Sequence, residues 1–195
     1  MSSPITRLPR VSMFAWSASV DGRINQYWRV AVLAAVTDWF TKWFVVGHYT
    51  MGREHTFADR LSLFVTFNTG SAGGVMFGEH TVSVNVLVTI VALVLISMVV
   101  RDLSAVDPRA SVALGLVAGG ASGNLASMLF GPPGVADFIA VRFSHQTTVI
   151  LNIADLALWT GALLLLPVVF RLVMAIRAEK QRFGRRVEGR TESRA

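Results

Sequence analysis

No Asp, Glu, Lys or Arg lies within 80–100, 110–136 or 156–170. A helix that crosses a bilayer needs roughly 20 mostly apolar residues, and these gaps fit that length. With 53% hydrophobic and only 15% charged residues, the chain is too apolar for an ordinary soluble domain. Four transmembrane helices are predicted, at about Tyr27–Val46, Val82–Val100, Ala110–Phe130 and Ile153–Ile176. The first is interrupted by Asp38 and Lys42. The fold class expected is an all-α membrane protein: four spanning helices with a small extracytoplasmic β-element.

The net charge of +6 is unevenly spread. Arg7, Arg10, Arg23 and Arg29 lie before or at the start of the first span, and eight Lys or Arg follow from Arg171 to Arg194. The short 101–109 loop adds Arg101 and Arg109. Basic residues concentrate on the cytoplasmic side of a membrane. Both termini and the 101–109 loop are therefore expected in the cytoplasm, with 47–81 and 131–152 on the other side. The basic ends read as orientation signals and contacts with anionic lipid, not as a nucleic-acid site. There is no cysteine, which excludes disulfides, thiolate catalysis and cysteine metal sites. Residues 1–27 lack the apolar core and small-residue cleavage site of a secretory signal.

The domain reading follows: a loosely ordered cytoplasmic arm at 1–26 with an interfacial turn at 13–16, a four-helix domain at 27–178 with a loop insert at 47–81, and a basic tail at 179–195 that frays after Lys180. Within the insert, "LSLFVTFN" at 61–68 is β-branched and aromatic and reads as a strand, followed by a Gly-rich loop at 68–74. Trp39, Trp43, Phe44 and Tyr49 suit an interfacial belt.

Gly115, Gly119 and Gly123 recur every four residues, a spacing that lets membrane helices approach closely. Asn124 adjoins that stripe and either bonds a neighbouring helix or braces a polar site. Asp38 and Lys42, four apart, share one helix face and can neutralise each other. They read either as an internal ion pair or as support for a site. Asp137 follows the third span and Asp155 opens the fourth. These spans are connected antiparallel neighbours, so the two carboxylates can meet. Two carboxylates in contact share a proton, one drawing a proton from water while the other hydrogen-bonds a peptide carbonyl. Alternatively, Asp155 is a first-turn helix acid and Asp137 a solvated loop acid. His48, His55, His80 and His145 lie at loops or span edges and read as interfacial or solvated; no metal and no cofactor is expected.

The stretches "TDWFTKWFV" (37–45), "FNTGSAGG" (67–74), "GGASGN…GVADFIAV" (119–141) and "LNIADLALWTG" (151–161) resemble, in order and spacing, the motifs of bacterial lipoprotein signal peptidase, signal peptidase II. The resemblance covers about 28–170. It implies four helices and a periplasmic β-cradle around two catalytic aspartates, Asp137 and Asp155. Asp38, Lys42, Asn68, Gly70, Asn124 and Asn152 then fall on site-supporting or substrate-binding positions. The implied reaction is removal of signal peptides from lipid-modified prolipoproteins, cutting before the diacylglyceryl-cysteine, by a monomer in the bacterial inner membrane whose partners are those peptides and membrane lipids. The chain departs from the family at Ser127-Met128, where Asp-Arg is usual, and this bears first on substrate recognition. Two other readings remain open here: a non-catalytic scaffold or lipopeptide binder of the same fold, and a proton-coupled transporter subunit. The second is opposed by the position of the aspartates at helix ends.

Overall fold

The structure, a computed structural model, describes residues 13–69, 77–144 and 146–192. Its elements in chain order are α1 (Met13–His48), β1 (Glu54–Ala58), β2 (Leu61–Asn68), a 3-10 turn (Gly78–His80), α2 (Thr81–Val106), α3 (Arg109–Phe130), β3 (Val135–Arg142), β4 (Thr148–Leu151) and α4 (Ile153–Glu192). Among the described residues, four helices are long and apolar enough to cross a membrane. Their outer faces expose Leu87, Val91, Leu95, Leu163 and Leu166, an apolar surface that only lipid accommodates.

Two limits differ from the sequence expectation. α1 begins at Met13, so half of the expected arm is helical. No proline interrupts 13–27, and nothing there stops the helix. α4 runs to Glu192 instead of ending near Lys180. Its last turns are polar but rich in Arg, Glu, Lys and Gln, which are good helix formers. The expected turn at 13–16 is therefore helix, and residues 1–12 and 193–195 lie outside the described residues.

The second correction concerns 131–152, expected as a loop. It contains β3 and β4, which complete an antiparallel sheet of order β1-β2-β3-β4. β2 falls on the predicted strand, Leu61–Asn68. β3 buries Phe138 against Val45 of α1 and Val65 of β2, and this cluster seats the sheet on one end of the bundle. Successive strand residues face opposite ways, so Asp137, beside Phe138, turns to the other face.

α3 is the central helix and touches the other three. Its glycines explain how. A Cβ on Gly119 would lie 2.5 Å from the Ala31 carbonyl oxygen, and one on Gly115 2.8 Å from that of Tyr27. A Cβ on Gly120 would meet the Ala154 carbonyl at 2.5 Å. The stripe is thus a packing device that brings α1 and α4 against α3 backbone to backbone. At the opposite end from the sheet, buried Asp107 accepts from the Arg109 N–H at 3.0 Å and pairs with Arg171 at 3.0 Å, tying the short α2–α3 connection to α4.

Replacing Gly119 with Val is expected to lower the thermal unfolding midpoint in detergent by the equivalent of about 1–3 kcal/mol, the cost of overpacking a tight contact. Gly22, whose Cβ would meet nothing within 4 Å, is the control. Gly22→Ala is expected to be neutral or to stabilise by up to about 1 kcal/mol. Equal midpoints for Gly119→Val and the native protein would contradict close α1–α3 packing.

Candidate active site

The site starts from the first turn of α4. A helix N-terminus has N–H groups with no intrahelical acceptor, and buried ones need partners. Asn152, fully buried, precedes the helix. Its Oδ1 accepts from the Asp155 N–H at 2.9 Å, while Asp155 Oδ2 accepts from the Asn152 N–H at 3.1 Å. This is a reciprocal capping box with Asn and Asp in the two positions. A third N–H, of Ala154, donates to Asp38 Oδ1 of α1 at 2.8 Å.

Asp38 is fully buried, and its other oxygen accepts from Lys42 Nζ at 2.6 Å. Lys42 also donates to Asn124 Oδ1 at 2.7 Å. Gly123 makes room for this: a Cβ there would lie 2.5 Å from Asp38 Oδ2. Asn124 Oδ1 additionally accepts from Asn152 Nδ2 at 3.2 Å, and its Nδ2 donates to Asp155 Oδ1 at 3.1 Å. The ion pair is therefore both of the things the sequence left open. It neutralises itself and it braces the start of α4.

Asp137 completes the cluster from β3. Its Oδ1 accepts from Asn152 Nδ2 at 2.6 Å. Asn68 at the end of β2 also hydrogen-bonds it. The sheet register accounts for this: Thr66 faces Asp137, which leaves Asn68 its diagonal neighbour on the same face. Asn152 thus touches both carboxylates, holding Asp137 through its side-chain amide and Asp155 through the cap.

Asp137 is 3% exposed, which overturns its alternative reading as a solvated acid. Its pKa is pushed from 3.8 up to about 6, by burial first and by the charge of Asp155 second. The hydrogen bonds from Asn68 and Asn152 and the charge of Lys42 pull it partway back. A buried carboxylate with its pKa raised, close to a second carboxylate, is suited to acid–base work.

Both carboxylates open on a cleft of about 550 Å³ between α2, α3 and α4, walled also by Asn124, Asn152 and Met128. A second cavity of about 250 Å³ lies on the other side of α3, beside Trp39, Trp43, Lys42 and the 131–134 turn. Ser127 lines the second cavity and Met128 the first, so the two-residue departure in the motif is divided between them. All the site residues read from the sequence converge here except Gly70, which lies outside the described residues, as does His145. Asn85 and Thr89 of α2 also line the cleft and were missed. Their signal was available: a polar residue every four positions through Thr81, Asn85 and Thr89 in a span whose other polar residues are Ser83 and Ser97. Among the described residues, no group of three or more His, Asp or Glu is arranged to hold a metal ion.

Residues 30–171 match the family described as Signal peptidase (SPase) II. A lipoprotein signal peptidase of Geobacillus kaustophilus (strain HTA426) is 32% identical over 146 residues, 74% of this chain and 92% of its own. One from Geobacillus thermodenitrificans (strain NG80-2) is 33% identical over 141 residues, 71% of this chain and 86% of its own. Among solved structures, a bacterial membrane enzyme determined by the in meso method at 2.3 Å resolution has a similar fold. Its TM-score is 0.66 at 24% identity, covering 75% of this chain and 88% of that one. A second such structure, at 1.9 Å, has TM-score 0.64 at 25% identity, covering 74% and 92%.

The raised pKa of Asp137 makes a stability prediction. Between 3.8 and about 6 the folded protein binds more protons at this group than the unfolded chain does. Its contribution is therefore most favourable below 3.8 and is lost as pH rises through about 6. Asp137→Asn is expected to raise the thermal midpoint at pH 7.5 and to flatten its dependence over that window. A midpoint lower than native at pH 7.5, with the same pH dependence, would contradict the assignment.

Proposed function

The chain belongs to the signal peptidase II family, and from that premise we propose that it is an aspartic endopeptidase that removes signal peptides from lipid-modified prolipoproteins. The observation that carries the reading is Asn152 joined to both Asp137 and Asp155 at the wall of one cleft. The family match and its lipoprotein signal peptidase relatives supply the substrate class.

The chemistry follows from the two environments. Asp155, in the first turn of α4, sits where a negative charge is favoured by the helix dipole. It takes a proton from a water molecule as the oxygen adds to the scissile carbonyl carbon. Asp137, whose burial favours the protonated form, donates its proton to the carbonyl oxygen, giving a tetrahedral diol. In the second half, Asp155 passes the proton it took to the leaving nitrogen and Asp137 recovers one from the diol. The carbon–nitrogen bond breaks, leaving a carboxylic acid and an amine. Lys42 and Asn124 hold the charges in place through both halves.

By the distribution of basic residues, the sheet end faces away from the cytoplasm and both termini lie within it. The signal helix and acyl chains of the substrate then stay in the bilayer, with the bond before the diacylglyceryl-cysteine at the level of the cleft. The four-helix unit with its sheet forms the peptidase domain of this reading. Met128, an apolar side chain on the cleft wall, favours a second reading, a lipopeptide binder without activity.

A diacylglyceryl-modified prolipoprotein in liposomes separates the two. The native protein is expected to cleave it, and Asp137→Asn and Asp155→Asn are each expected to lose at least about 10³-fold in kcat while remaining folded. Binding without cleavage by the native protein would favour the second reading.

A further inference from the structure

α2 presents one stripe to the bundle, and its composition changes along its length. Thr81, Asn85 and Thr89 make up the half near the sheet; Ala92, Ile96 and Val100 make up the rest. The hydroxyl of Thr81 is used locally. It donates to the Gly78 carbonyl at 2.7 Å and accepts from the Phe77 N–H at 2.8 Å, closing the turn that starts the helix. Ser97 lies on the exposed side and bonds back to the Val94 carbonyl at 2.7 Å. Asn85 and Thr89 differ from both, because they line the cleft that holds Asp137 and Asp155.

Polar side chains within a span are costly and tend to mark function. Elsewhere on α2 the cleft is lined by Val84, Val88, Ala92 and Ile96, apart from Asn85 and Thr89. On α3, apart from Asn124, which donates to Asp155, the lining side chains of Val117, Ala121 and Met128 offer no hydrogen-bond donor. A substrate between the carboxylates and α2 therefore meets side-chain donors on its far edge at Asn85 and Thr89. Asn85 has a partner of its own in the structure. A carboxamide carries two donor hydrogens and an acceptor oxygen with two lone pairs, so one partner does not exhaust it.

The spacing suits an extended chain. Residues four apart on a helix are about 6 Å apart along its axis. Alternate carbonyls on one edge of an extended peptide are about 6.6 Å apart. We propose that Asn85 and Thr89 are substrate-binding residues that donate to alternate carbonyl oxygens of an extended peptide segment, across the cleft from Asp137 and Asp155. This rests on the peptidase reading above and adds the conformation and the edge by which the substrate is held.

The test is steady-state cleavage of a lipid-modified prolipoprotein by the full-length protein in liposomes, with Asn85→Leu, Thr89→Val and the pair. Each single change is expected to raise KM about three- to ten-fold with kcat little altered, and the pair to multiply the effects, as loss of ground-state hydrogen bonds requires. Thr89→Val keeps the side-chain shape and carries the test if Asn85→Leu does not fold. The same penalty on a substrate with ether-linked chains assigns the contacts to peptide carbonyls. A penalty that vanishes with ether linkage assigns them to the glyceride esters and overturns the proposal. Unchanged KM in a cleaving protein overturns it too and leaves the peptidase reading standing. No cleavage by the native protein would remove the peptidase reading, and this inference with it.

Discussion

Asn152 and Ala154 at the start of α4 are buried, and their N–H groups, which no helical carbonyl accepts, need partners. That constraint organises the polar part of the molecule. The Ala154 N–H takes an acceptor from another helix, Asp38, and Asp38 then needs a cation. Lys42, one turn away, supplies it and reaches on to Asn124. Asn124 and Asn152 carry the network to Asp155 and Asp137. A charged pair inside a bilayer is expensive unless its remaining hydrogen-bonding positions are filled. Here they are filled by the groups that hold the two carboxylates, so the features that stabilise the bundle also build the site.

The glycines make this geometry possible. Without close contact at Gly119 and Gly120, neither α1 nor α4 would reach α3, and without Gly123 the Asp38 carboxylate would have no space. Packing and chemistry are therefore not separate readings of the Gly115–Gly119–Gly123 stripe. Its first two members set the helix distance and its third admits a charged group.

Three of the spans were legible because charge is absent over long stretches, the first from its apolar residues despite Asp38 and Lys42, and β2 because its residues are β-branched and aromatic. Orders of four residues made Asp38 with Lys42 and the glycine stripe readable as shared faces. β3 was not recognised, since "VADFIAVR" places an acid among apolar residues directly after a Gly-Pro-Pro-Gly turn, a pattern that local rules assign to a loop. Its strand character comes from pairing with β2 and from Phe138 packing on Val45 and Val65. The helix limits were missed for a different reason: the mixed, polar character of 13–26 and of the tail after Lys180 suggested loose structure, while α1 and α4 continue through both. Asn85 and Thr89 share one helix face by their spacing, but only the fold shows that this face lines the cleft. The motif resemblance pointed to Asp137 and Asp155 as a pair, and the structure adds that Asn152 hydrogen-bonds both of them.

The account stands on Asp137 and Asp155 acting as one electrostatic unit. The most direct measurement is the titration of Asp137 by carbon-13 NMR of aspartate-labelled protein in micelles, in the native protein and in Asp155→Asn. The account requires Asp137 to titrate near 6 in the native protein. It requires the value to fall in Asp155→Asn yet stay above 3.8, because burial remains. Titration at an ordinary carboxylate value, unmoved by the loss of Asp155, would show two independent acids and contradict it.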